Sequence, residues 1–346
     1  MNNKNNLTYK DAGVDISKTD ALKVTMKDLL STSDRRVLNK VGAFAALYDA
    51  NFEIDDPVLV LKSEEPGSKQ KLAFQYDRIE SICYDMINHL VNDTIVMGAK
   101  PLAVLDTIVT SKTDETVIKR LVKGMRDACT SNECVLIGGE TSIQPGIVND
   151  NTCVLTSSIV GIASKNEIID GSKIKEGDTI IGISSNGIHT NGYSLIRLLM
   201  EKYPDILNEK INGISFIEAI MEPHRPYYIS LKESINNQLL TGMAHITGGG
   251  LKGNVCRIIP NDLCANIDLS KIEVLDLFKV IKKYSNASEN EMLDTFNCGI
   301  GMVVVCRQEN EQKVLANLNK YYKSYVIGQV IKNPNELVEF SNSLIW

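Results

Sequence analysis

Residues 245–254 read His-Ile-Thr-Gly-Gly-Gly-Leu-Lys-Gly-Asn, a pattern suited to holding an anion against backbone amides. Three successive glycines allow positive φ and bring N–H groups close to a ligand. The mixed residues that follow, through Ile259, can start a helix. A glycine turn that opens a helix presents unpaired N–H groups and the positive end of the helix dipole, both of which favour negative charge. Residues 184–192, Ser-Ser-Asn-Gly-Ile-His-Thr-Asn-Gly, form a second loop of this kind, between the apolar run 179–183 and an expected helix over 193–200. Each loop pairs a histidine with a threonine: His189 with Thr190, and His245 with Thr247. Two such loops point to a phosphorylated substrate. His189 and His245 are the titratable groups placed to move protons there.

A second set of residues has the chemistry of cation binding. The stretch 78–98 has the period of a long helix, with Asp85, His89 and Asn92 on one face and Asp93 at its edge. Its other positions are mostly apolar, so the acids are expected to be buried and to need partners. Mg2+ prefers oxygen donors and tolerates carboxylates together with water and phosphate. Asp106 lies inside an apolar strand, and Glu140 follows Gly138 and Gly139 at a strand end, where α/β folds place ligands. Together these acids read as a magnesium–nucleotide cluster. Lys69 sits in Pro-Gly-Ser-Lys, a loop able to touch phosphate, while Lys10 and Asp11 lie on a polar N-terminal arm. His89 reads as a structural residue, and His224, between Pro223 and Pro226, as a surface or hinge residue.

The chain lacks a Walker A loop, a Gly-x-Gly-x-x-Gly fingerprint after its first strand and a Gly-x-Ser-x-Gly elbow. Its net charge of −6 speaks against general nucleic-acid binding. An anionic ligand must therefore be held by local N–H groups, a few lysines or a metal. The eight cysteines form no Cys-x-x-Cys and fall mostly in apolar runs, the pattern of buried free thiols in a reducing cytoplasm. Residues 1–11 lack the apolar core of a signal peptide, and no apolar run approaches ~20 residues, so no membrane span is expected.

A length of 346 residues favours two domains. Strands are expected over 58–61, 102–110, 134–137, 153–163, 179–184, 263–268, 301–306 and 325–331. Helices are expected over 21–30, 78–98, 115–129, 193–200, 227–235 and 310–322, and residues 62–70 read as a polar loop. The polar stretch 164–178 marks a boundary, giving domains 1–165 and 166–346 of mixed α/β type. In 295–302, Asn297 and two glycines adjoin a strand, a sign of close backbone approach.

Taken together, these residues resemble the phosphoribosylformylglycinamidine cyclo-ligases, also called AIR synthetases. The similarity runs in order over nearly the whole chain: YKDAGVDI at 9–16, VND at 91–93 with GAKPL from 98, and GGET at 138–141. It continues with GIHTNGYSL at 187–195, HITGGGL at 245–251 and DTFNCGIGM at 294–302. The resemblance implies a two-domain α/β fold. It also implies a homodimer whose N-terminal domains build a shared β-barrel, and a C-terminal sheet covered by helices. The implied reaction takes formylglycinamidine ribonucleotide and ATP to 5-aminoimidazole ribonucleotide, ADP and phosphate, with Mg2+. The formyl oxygen is phosphorylated, the amidine nitrogen attacks, and phosphate leaves. Catalysis of that kind is mainly positioning and charge stabilisation.

Carried over by position, Asp85, Asp93, Asp106 and Glu140 match the family's metal cluster. Asp11, Glu64, Lys69, Asn92, Gly138, Gly139 and Thr141 match its nucleotide site. Gly187, Thr190, Asn191, Gly192, Ser194, Thr247, Gly248, Gly249, Gly250 and Asn297 match its substrate loops. His189, His245 and Lys10 match catalytic positions, and which histidine moves the proton stays open. The departures lie in the N-terminal half. Glu64-Glu65-Pro66-Gly67-Ser68-Lys69 stands for Asp-Gly-Val-Gly-Thr-Lys, Ile143 replaces an acid, 154–158 replaces Asp-Leu-Ala-Gly-Phe, and Gly42-Ala43-Phe44 replaces Gly-Gly-Phe. Two competing readings follow from them: a ribonucleotide-binding homologue without phosphoryl transfer, and another ATP-using enzyme of the same superfamily.

Overall fold

The computed structural model describes residues 21–346 apart from 23, 27–28, 40–42 and 151, so Lys10 and Asp11 lie outside the described residues. The first half comprises β1 (Pro57–Glu64), α1 (Lys69–Gln75), α2 (Ile79–Ile95), β2 (Lys100–Thr110), α3 (Glu115–Ser131), β3 (Val135–Ile143) and β4 (Cys153–Ser164). Its strands form one sheet in the order β1-β4-β2-β3. β4 is antiparallel to both neighbours, while β2 and β3 run parallel with α3 as their crossover. α3 is amphipathic and starts where Asp114 accepts a hydrogen bond from Val117 N at 3.1 Å.

The two faces of this sheet differ. On the inner face, Val104, Ile108, Leu155 and Ile159 pack with Ile82, Met86 and Ile87 of α2 and Leu121 of α3. On the outer face, Leu59, Leu61, Leu105 and Val154 are 57%, 70%, 43% and 40% exposed.

The second half follows with β5 (Thr179–Ser184), α4 (Tyr193–Lys202), β6 (Lys210–Ile211), β7 (Ile214–Ser215), α5 (Phe216–Met221) and α6 (Tyr228–Asn236). It continues through β8 (Leu240–His245), α7 (Gly250–Val255), β9 (Leu263–Asp268), α8 (Asp276–Ser285) and α9 (Glu289–Thr295). It ends with β10 (Ile300–Cys306), α10 (Glu311–Leu318), β11 (Ser324–Lys332) and β12 (Val338–Ser341). A six-stranded sheet has the order β12-β9-β11-β5-β10-β8. Its inner strands, such as Ile300–Cys306 with every residue buried, are near-continuous apolar runs because both faces are covered. Capping boxes at Ser215–Glu218 and Ser288–Glu291 start α5 and α9.

Three expectations are corrected. Residues 62–70 are not one polar loop: β1 runs to Glu64 and α1 begins at Lys69, because Lys62 and Glu64 both find partners on α2. The helix after the glycine triplet ends at Val255, well short of Ile259. Residues 240–245 form a fully buried strand that places His245 at its end. With Thr, Gly and His among its six residues, β8 lacks the apolar run by which strands are recognised.

The halves meet along α2. Asn88 Nδ2 donates to His224 O at 2.6 Å, Asn92 Nδ2 donates to Arg225 O at 2.9 Å, and Asn92 Oδ1 accepts from Tyr227 N at 3.0 Å. Two buried amides on one helix face thus satisfy an irregular segment of the other half.

Candidate active site at the junction of the halves

Lys69, the first residue of α1, points into the protein. Its Nζ lies 2.9 and 2.7 Å from the two oxygens of Asp85, 3.2 Å from His189 O and 2.7 Å from Glu222 O. Both side chains are fully buried. Burial pushes the Asp85 carboxyl up to about 6 and the Lys69 ammonium down, and their mutual attraction opposes both shifts. His224 N also donates to Asp85 Oδ1 at 2.8 Å. Lys69 and Asp85 therefore turn toward each other, as an ion pair that pins two carbonyls of the second half to the first.

The chain has four histidines, and the fold gathers all of them above this pair. His245 Nδ1 is 2.7 Å from Asp93 Oδ1, and its Nε2 is 2.8 Å from His224 Nε2. His224 stacks on His189 with centroids 3.9 Å apart. His189, in the left-handed region at φ 58°, has Nε2 3.1 Å from Asn186 Oδ1. His89 Nδ1 is 3.1 Å from Thr190 Oγ1. Burial holds His189 and His224 far below the ordinary imidazole range, and brings His89 down to about 4. Neutral rings are thus the resting state, and each is able to accept a proton at one nitrogen. His224 is wholly buried, so its reading as a surface or hinge residue is corrected. Two flanking prolines suggested an exposed segment, whereas the segment is extended and capped by α2.

The two glycine loops lie side by side. A Cβ on Gly248 would meet Asn191 Oδ1 at 3.5 Å, and one on Gly67 would meet Thr190 O at 3.6 Å. At Gly192 a Cβ would strike the Phe296 ring at 2.2 Å, and at Gly250 it would strike Leu293 O at 1.6 Å. Asn297 braces the first loop, accepting from Ser185 Oγ and Gly299 N and donating to Gly187 O. Asn254 braces the second, donating to the carbonyls of Thr247, Gly248 and Gly250. Gly248, Gly249 and Ser194 are exposed, so the loop surfaces are open to a ligand.

The acids divide into groups. Asp93 Oδ2 and Glu64 Oε2 lie 3.0 and 2.9 Å from Lys62 Nζ. Although burial raises the Asp93 pKa, hydrogen bonds and charge from His245, His89 and Lys62 outweigh this and hold the carboxyl well below the usual range. Asp106 is buried and makes no ion pair among the described residues. Desolvation, with a contribution from Glu140, pushes its carboxyl up to about 7. In the parallel register Asp106 pairs with Gly139, and Glu140 with Thr107. Asp106 therefore faces the helices beneath Gly139, whose Cβ would touch Asp106 Oδ1, while Glu140 and Thr107 take the opposite face. Gly138 and Thr141 belong to the same strand.

Sequence reasoning did not mark His224, Lys62 or Glu222 as parts of this junction. The shortage of histidines was the available signal: with four in the chain, one lying inside a glycine loop and another opening a Gly triplet, the remaining two merited equal weight.

Comparisons with known proteins bear on the family and the fold. A family model for the "AIR synthase related protein, N-terminal domain" matches residues 45–163, and one for its C-terminal domain matches residues 175–340. A phosphoribosylformylglycinamidine cyclo-ligase of Streptococcus sanguinis is 37% identical over 98% of this chain and 99% of its own length. Among solved structures, E. coli HypE superposes with a TM-score of 0.69 at 15% identity, covering 94% of each chain. The hydrogenase maturation protein HypE in complex with ATP superposes at 0.61 and 14% identity, covering 89% of this chain and 88% of that one. These structural likenesses establish the fold, and the sequence relatives establish the family. The chain belongs to the phosphoribosylformylglycinamidine cyclo-ligase family.

Proposed function

We propose that this chain closes the imidazole ring of 5-aminoimidazole ribonucleotide from formylglycinamidine ribonucleotide, using ATP and releasing ADP and phosphate. The observation that carries this reading is the family likeness over the full chain, together with two braced glycine loops that converge beside His245. The exposed amides of Gly248 and Gly249, with Thr190, Asn191, Gly192, Ser194 and Thr247, hold the substrate phosphate. Asp93 fixes the ring orientation of His245 through Nδ1, and Nε2, paired with His224 Nε2 at 2.8 Å, is the nitrogen that exchanges a proton, with His224 as its neighbour in the transfer. We assign the proton transfer to His245. His189, whose Nε2 is engaged by Asn186, fills space under His224 and shapes the first loop. Packing the two halves along α2 keeps water from the reacting centre and aligns the nucleophile with the activated carbon.

Of the acids matched to the metal cluster, Asp106 fits Mg2+ best. It offers hard oxygen donors, it is buried, and no described cation compensates its charge. Mg2+ bound there supplies positive charge to the phosphates of ATP. Lys69, enclosed by protein groups, serves to hold α1 and the second half together.

The chain pairs with a second copy through the outer face of the N-terminal sheet, where Leu59, Leu61, Leu105 and Val154 are exposed apolar side chains. It resides in the cytoplasm, in keeping with eight free cysteines. Among the described residues no helix is long and apolar enough to cross a membrane.

The direct test measures ADP release and aminoimidazole formation by purified protein with Mg2+–ATP, with and without formylglycinamidine ribonucleotide. Substrate-dependent ADP in step with product establishes the reading. Binding of the ribonucleotide without ADP release converts it into a binding homologue, and absence of binding removes the assigned substrate.

A further inference from the structure

Where β1 meets α2, one ammonium spans two carboxylates. Lys62 and Glu64 lie two residues apart on β1, so their side chains share a face, and that face looks onto α2. Lys62 Nζ is 2.9 Å from Glu64 Oε2 and 3.0 Å from Asp93 Oδ2. The second oxygen of Asp93 is taken by His245 Nδ1 at 2.7 Å. His89 Nε2 stands 3.6 Å from Asp93 and 3.8 Å from Glu64, beyond hydrogen-bond reach of either. Glu64 and Asp93 are the oxygen donors that would otherwise bridge a divalent cation. An ammonium at contact distance from both supplies part of that charge without desolvating an ion. Its presence also opposes entry of a second cation by repulsion at close range.

We propose that Lys62 is the resident cation of this corner, and that the Glu64–Asp93 pair takes no divalent ion in this protein. The assignment rests on the reading of the site as an ATP-using one only in its consequence: divalent metal is then held by Asp106 and by the nucleotide itself. Lys62 also acts as a positioning residue. By holding Asp93 Oδ2 it leaves Asp93 Oδ1 free to orient His245.

The experiment counts Mn2+ bound per chain, by equilibrium dialysis and by the electron paramagnetic resonance of free Mn2+, with no nucleotide present. Four proteins are compared: wild type, Lys62→Met, Lys62→Arg, and Lys62→Met combined with Glu64→Gln. The expected result is one additional Mn2+ per chain in Lys62→Met, lost again in the double variant, with wild-type stoichiometry in Lys62→Arg. Two results overturn the proposal. One is a Lys62→Met protein that keeps its far-UV circular dichroism and gains no Mn2+. The other is a wild-type site that already loses one Mn2+ on Glu64→Gln, which would show that metal displaces the lysine. Turnover of wild type is measured separately, so failure of the metal count leaves the assigned reaction standing, and failure of turnover leaves the metal count readable.

Discussion

In the C-terminal half, Gly192 and Gly250 leave no space for a side chain, and the amides of Asn297 and Asn254 fix the loops from behind. In the N-terminal half, Asp85, Glu64 and Asp93 are each met by a lysine of the same half. The glycine loops are thus defined by backbone shape, which leaves no room for a side chain at Gly192 and Gly250. The acid row is defined by charge balance, which tolerates exchange as long as the sum is kept. This contrast explains where the chain departs from its family pattern. The changes fall in the N-terminal half, where Glu64, Glu65 and Pro66 stand in the altered loop, and spare the loops around His189 and His245.

The largest expected effect tests whether charge balance governs the first half. Replacing Lys69 by Met leaves Asp85 buried without its partner and strips two carbonyls of a donor, a loss of about 3–5 kcal/mol. Urea unfolding followed by circular dichroism measures it, and Lys69→Met with Asp85→Leu should recover part of the loss. A single variant as stable as wild type would show that the pair is incidental.

A somewhat smaller effect tests whether shape governs the second half. Gly250→Ala must move Leu293 or rebuild the triplet, and kcat/KM should fall about a hundredfold, the cost of an ångström-scale displacement of a binding loop. Gly248→Ala, whose Cβ would meet only Asn191 Oδ1 at ordinary contact distance, should lose less than about tenfold. Equal losses in the two variants would mean that the loop is flexible rather than shaped.

A third test reads the charge balance of the first half by pH. Asp106 ionises near 3.8 when unfolded and at about 7 when folded. Between those values the native state binds more protons, so this residue makes stability fall as pH rises from about 4 to about 7. The slope approaches about 1.4 kcal/mol per pH unit and vanishes above that range. His89 acts in the opposite sense. Its folded value of about 4 lies below the ordinary 6.5, so its contribution is lost as pH falls through that interval. The difference between wild type and Asp106→Asn isolates the acid. Urea midpoints at pH 5, 6, 7 and 8 should show the variant gaining on wild type as pH rises to 7 and holding steady beyond. A constant difference would mean that Asp106 is ionised throughout.

Much of the site was legible in the sequence because its elements are local. Glycine triplets and a histidine at a loop are set by neighbours within ten residues, whereas Glu140, expected just past a strand ending at 137, lies inside β3 because pairing with β2 carries that strand on to Ile143. The long helix 78–98 was expected and is observed as Ile79–Ile95, since a run of buried apolar residues with helical period needs no distant partner to be recognised. The strand at 240–245 was missed because β8 owes its conformation to pairing with β10, a ladder between residues far apart in the chain.

By itself the sequence determined the fold class, the family and the two glycine loops with a histidine at each. Only the tertiary structure decided what each charge faces. It brought His224 from a proline-flanked segment to 2.8 Å from His245, closed Lys69 onto Asp85, set Lys62 between Glu64 and Asp93, and put Asp106 and Glu140 on opposite faces of one sheet. The physical reason lies in the range of the interactions. Backbone conformation and hydrophobic period are fixed within a turn or a strand, whereas an ion pair or a hydrogen bond between side chains exists only once separate elements have packed to within about 3 Å.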